Sequence, residues 1–66
     1  MIPIKYFWAN RSPATGEIQE ALELARKENC VVIIKWEMFK YPYSMIVHSN
    51  MSFEECEQQI PTVYGL

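Results

Sequence analysis

Apolar residues recur along this chain with two different periods, and the changes from one to the other mark out its elements. Ile2, Ile4, Tyr6 and Trp8 alternate with Pro3, Lys5 and Phe7, the period of a strand built from β-prone residues. Pro3 belongs at the start of such a strand or on a sheet edge. Asn10, Arg11, Ser12 and Pro13 read as a loop, with Ser12 as N-cap, Pro13 at the first helical position and Thr15 as a rival cap. Ile18, Ala21, Leu22 and Ala25 then fall at i, i+3, i+4 and i+7, one face of a helix that Leu24 widens. Glu17, Glu20, Glu23 and Lys27 occupy the opposite side, and Asn29, which tolerates a left-handed backbone, closes the helix.

Residues 30–48 read as a β-hairpin around which the rest is organised. Val32, Ile34, Trp36 and Met38 point one way, towards the helices, and Val31, Ile33, Lys35 and Glu37 the other. Phe39, Lys40, Tyr41 and Pro42 lack the Asn-Gly signal of a tight turn, so a connection longer than two residues is expected, with a return strand over 43–48. A capping box at Ser52 and Glu55 opens a second helix, flanked by Met51 and Cys56 as a hydrophobic staple. Its stripe is Phe53, Cys56 and Ile60, and Pro61 stops it.

This order predicts one small α+β domain over 1–66. It is a two-layer sandwich with a three-stranded, mainly antiparallel sheet and two helices on one face, the favoured strand order being 1-3-2. The alternatives are strand 1 beside strand 2, parallel through a right-handed crossover, and a ferredoxin-like topology if the tail 62–66 adds a short fourth strand.

Charge narrows the function classes. The net charge is −2, but it is divided: the strand-bearing segments sum to +3 and the helical segments to −5. Phosphate binding normally needs a concentrated basic stripe, so the acidic balance counts against nucleic acid. The only glycines, Gly16 and Gly65, belong to no phosphate-cradling loop. The chain has no Asp and one histidine, His48, so a Ser-His-Asp triad is excluded, and no paired-Cys or paired-His spacing points to metal. Cys30 and Cys56 fall at core positions, where small buried thiols are expected in place of a nucleophile or a disulfide. No cofactor and no enzymatic activity are expected. The longest apolar run, 30–34, is far short of the ~20 residues of a membrane span, and no export signal is visible, so a reducing, cytoplasmic setting is expected.

Half the residues are hydrophobic, more than a 66-residue interior easily covers. The expectation is therefore a protein-binding module, self-associating as a homodimer, that meets its partner through the sheet face the helices leave open. Lys5, Phe7, Ile33, Lys35 and Glu37 are assigned to that face, with Trp8 and Arg11 at the end of the first strand and Tyr41 and Tyr43 at the hairpin tip as anchors. Small size and acidic charge also resemble phage accessory proteins that block a host or defence protein, an analogy of composition alone. The rival class is a single-stranded nucleic-acid binder using the same aromatic, Lys-bearing face.

Overall fold

The computed structural model describes residues 1–60, and the tail segment considered as a fourth strand lies outside them. The elements run β1 (Ile4–Ala9), α1 (Thr15–Glu28), β2 (Val31–Met38), β3 (Tyr41–Val47) and α2 (Phe53–Glu57). This is the small α+β arrangement the sequence predicts, with both helices packed on one face of a three-stranded sheet.

The strand order is β1-β2-β3, with β1 parallel to β2 and β2 antiparallel to β3, in place of the favoured 1-3-2 order. The length of α1 permits this adjacency. Parallel neighbours need a crossover of a dozen or more residues, and the 14 residues of α1 carry the chain back to the start of β1. There the Val31 N–H donates to the Pro3 carbonyl at 2.9 Å and opens the ladder.

Helix α1 begins two residues later than the Ser12–Pro13 signal implies, with Ala14 as N-cap. Alanine offers no side-chain acceptor, so only half of a capping box exists. The Glu17 carboxylate accepts the Ala14 N–H at 3.0 Å and holds Arg11 at 3.0 Å. That backbone bond, then Arg11, keeps the Glu17 carboxyl below its ordinary pKa. Asn29 ends the helix in the left-handed conformation, φ 51°.

In α2 the expected capping box is complete: the Glu55 N–H donates to Ser52 Oγ at 3.2 Å, and the Ser52 N–H to Glu55 Oε1 at 2.9 Å. Ser52→Ala is expected to lower stability by about 1 kcal/mol in urea denaturation. An unchanged midpoint would show that the cap contributes nothing. The helix is shorter than expected, giving way to turns at 58–60.

Strands β2 and β3 meet in a two-residue turn, Phe39–Lys40, which corrects the longer connection expected from the sequence. Both residues have positive φ, 53° and 67°, the condition of a type I′ turn, reached without Asn or Gly. The pairing then runs Met38 with Tyr41, Trp36 with Tyr43, Ile34 with Met45 and Val32 with Val47.

These partners share the helix-covered face. Val32, Ile34, Trp36, Met45 and Val47 are buried against Ile18, Ala21, Leu22 and Ala25 of α1 and Cys56 of α2. Trp36, only 1% exposed, is the largest side chain in the core and stacks on Tyr43 with ring centroids 5.7 Å apart. Cys30 and Cys56 are both buried and free. Burial pushes the Cys56 thiol up, towards its protonated, unreactive form.

Candidate functional site

Partners across a ladder point the same way, so the register fixes both faces of the sheet. Opposite the helices lie Ile4, Tyr6 and Trp8 of β1, Val31, Ile33, Lys35 and Glu37 of β2, and Pro42, Ser44 and Ile46 of β3. Tyr6, Ile33 and Ile46 form one cross-strand row, and Trp8, Lys35 and Ser44 the next. Among the described residues no helix covers this face, and Trp8 (77%), Tyr6 (56%), Ile4 (53%) and Ile46 (48%) stand out from it. The Lys35 ammonium lies 5.1 Å from the centre of the Tyr6 ring and 5.6 Å from that of Trp8. Lys35 thus covers part of the aromatic surface with its own methylenes while keeping its charge at the water boundary.

Ile33, Lys35 and Glu37 lie on the open face, as the alternation of β2 implies. Trp8 also lies there and is its most exposed aromatic. Lys5 and Phe7, expected beside them, are on the opposite side, because Lys5 is the partner of Val32, and Phe7 that of Ile34. The strand turns this way for two reasons. Ala9, paired with Trp36, fits a methyl beside the indole in the core. Lys5 reaches Glu28 at the end of α1, 2.7 Å away, a hydrogen bond that raises the Lys5 pKa and lowers that of Glu28. Phe7, 46% exposed, lines an open cleft of about 430 Å³ with Glu20, Ala21 and Leu24 of α1.

Tyr43 is half-buried on the helix side against Trp36, so it is part of the fold and not a tip anchor. Tyr41 is exposed, also on the helix side, beside the turn. Arg11 is engaged by Glu17 and by the Ser12 carbonyl, 3.2 Å away. Sequence reasoning missed Ile4, Tyr6 and Ile46. The signal that would have placed the first two is Ala9, the one small residue of β1 and therefore the one that fits beside a large core ring.

The two sheet edges differ. Outward-pointing backbone groups alternate along each edge strand. On β3 they belong to Pro42, Ser44 and Ile46. Pro42 has no N–H to offer. At Ile46 the Gln59 side-chain amide takes the place of a neighbouring strand, accepting the Ile46 N–H at 2.9 Å and donating to its carbonyl at 2.6 Å. On β1 the ladder from Pro3 and Val31 leaves the N–H and C=O of Ile4, Tyr6 and Trp8 pointing outwards. Among the described residues nothing meets them.

The rest of the surface carries little chemistry. His48 is exposed in a turn, its Nδ1 accepting the Asn50 N–H at 3.3 Å. Among the described residues no three His, Cys, Asp or Glu side chains gather as a metal site, and no helix is long and apolar enough to cross a membrane. No protein-family model, curated protein or solved structure matches this chain.

Proposed function

We propose that this chain is a non-enzymatic protein-binding module whose contact surface is the open sheet face around Tyr6, Trp8, Ile33, Lys35 and Ile46. The observation that carries the reading is the continuity of that face: the exposed Tyr6 of β1 and Ile46 of β3 flank the half-buried Ile33 of β2 as direct cross-strand neighbours, with Trp8 and the Lys35 cation in the next row. Contiguous exposed apolar surface of this kind marks interaction sites, and Trp and Tyr are the side chains that most often anchor them. The state of the candidate nucleophiles supports a non-catalytic role, since both thiols are buried in the core whereas the only histidine, His48, is exposed in a turn. Blocking a host or defence protein is a form of this role suited to a small acidic chain, by analogy of size and charge.

Tyr6→Ala/Trp8→Ala is the variant that tests it. Used as bait in a lysate of the source organism, the native chain is expected to retain a partner that the double variant loses while its circular dichroism is unchanged. Equal capture by both would place the contact elsewhere and end the assignment to this face.

One observation favours a second reading, the Lys35 ammonium between two exposed rings, which is also the layout of a single-strand stacking platform. Labelled single-stranded oligonucleotide at low salt separates the two. Protein recognition predicts no binding, whereas binding that weakens steeply with salt and disappears in Lys35→Ala would establish the second reading in its place.

A further inference from the structure

Among the described residues, β1 lacks cover on three sides. Its open face carries Ile4, Tyr6 and Trp8, its helix side leaves Phe7 nearly half exposed at the cleft beside α1, and its outer edge presents the unmatched backbone groups of Ile4, Tyr6 and Trp8. Edge strands normally carry protection against pairing, such as inward charges, bulges or proline. β3 has such protection in Pro42 and Gln59. β1 has Pro3 only before its first residue, and its one charge, Lys5, is held by Glu28.

We infer that two copies of this chain associate through β1, edge to edge and antiparallel, about a two-fold axis at Tyr6. The inference rests on the protein-binding reading and deepens it by naming a second copy as the occupant. In this register Tyr6 faces its own counterpart, and Ile4 faces Trp8 of the second copy in both directions. All three outward residues become hydrogen-bonded pairs, giving about six inter-chain backbone bonds. The axis is perpendicular to the sheet, so both helix layers lie on one side and the two open faces join.

The neighbouring two-fold registers are poorer. Centring on Lys5 sets two ammonium groups opposite each other, which is destabilising. Centring on Phe7 pairs Ile4 with Asn10, beyond the end of the strand. Isologous pairing of one patch with itself is also the commonest form of assembly among soluble proteins. The area is that of a small interface. Rings such as Tyr6, Phe7 and Trp8 bury about 150–250 Å² each when covered. With 46–77% of each exposed here, they offer at most about 270–450 Å² per partner before Ile4 and the strand backbone are added, less than the about 800 Å² of a standard interface and suited to a concentration-dependent dimer.

Sedimentation equilibrium on the full chain across micromolar to millimolar concentration is the test. The expected result is a mass of two 7.8 kDa chains, with the dimer dissociation constant raised at least about tenfold in Tyr6→Lys, which opposes two cations at the axis. Tyr41→Lys, an exposed position on the other side of the sheet, should leave it unchanged. Circular dichroism reports whether each variant is folded. Should Tyr6→Lys unfold, amide hydrogen exchange on the native chain decides: the Tyr6 and Trp8 amides slow as concentration rises if β1 pairs, and exchange freely throughout if it does not. A single-chain mass at every concentration overturns the inference, as does a dimer that survives in folded Tyr6→Lys. In either case partner capture that still depends on Trp8 would leave the protein-binding reading standing, so the two fail separately.

Discussion

Trp36→Ala is expected to lower stability by about 3–5 kcal/mol, the usual penalty for removing a large buried aromatic. A 66-residue chain at 0.05–0.15 kcal/mol per residue has only about 3–10 kcal/mol to lose. Much of the population should therefore be unfolded at ambient temperature. Trp36 sits between Ala9 and Tyr43 on the neighbouring strands, on the helix-covered face, so no single side chain can move in to refill its volume. Its indole N–H adds a second consideration, because it is buried with no hydrogen-bond partner among the described residues. An orphaned buried donor costs about 1–3 kcal/mol. Trp36→Phe removes that donor while keeping a stacking ring for Tyr43, and should fall within about 1–2 kcal/mol of the native chain. Urea denaturation followed by far-ultraviolet circular dichroism measures both variants. A Trp36→Ala midpoint equal to the native one would refute the assignment of Trp36 as the centre of the core.

Phe39→Asn/Lys40→Gly is expected to act in the opposite direction, stabilising the chain by about 1–2 kcal/mol. Each of these residues holds a left-handed backbone, φ 53° and 67°, which costs roughly 1–2 kcal/mol for an ordinary L-residue. Asparagine and glycine tolerate it, and the greater freedom of glycine in the unfolded chain returns part of the gain. For a domain of this size each 1 kcal/mol moves the melting temperature by about 4–8 °C, so thermal melting has ample resolution. An unchanged or lower melting temperature would mean that the exposed Phe39 ring stabilises the hairpin by as much as its backbone strain costs.

Local signals carried much of the fold. The i, i+3, i+4, i+7 stripe of α1 and the capping box of Ser52 and Glu55 are properties of short windows, and both hold. The alternation of β2 is likewise unambiguous, because Lys35 and Glu37 mark one face and Trp36 the other. β1 offers no such contrast. Ile4, Tyr6 and Trp8 are apolar on one face and Phe7 and Ala9 on the other, so only long-range partners decide its orientation, namely Glu28 for Lys5 and Trp36 for Ala9. A one-residue ambiguity exchanges faces completely, which is why the pattern of β1 alone puts Lys5 and Phe7 on the open face in place of Ile4 and Tyr6. Strand order is equally non-local: β1 and β2 run parallel with α1 as the crossover in either order, and only the long-range pairing of Val31 with Pro3 and Ile4 separates them. Glycine-free type I′ turns defeat sequence reading for a different reason, since the tertiary pairing of β2 and β3 overrides the preferences of Phe39 and Lys40.

The Gln59 amide has a consequence for how far association can proceed. Polymerisation of a sheet requires two reactive ends on every unit, one to receive and one to extend. By placing its carboxamide on Ile46 of β3, the strand that also carries Pro42, this chain blocks that edge at both extremities and leaves only Ser44 and the Pro42 carbonyl between them, too short a stretch for another strand to pair along. The unit is monofunctional, like a chain-terminating monomer. When the remaining end is satisfied by an identical unit, the product has no growing terminus, and a sticky aromatic strand becomes compatible with a finite particle instead of a fibre.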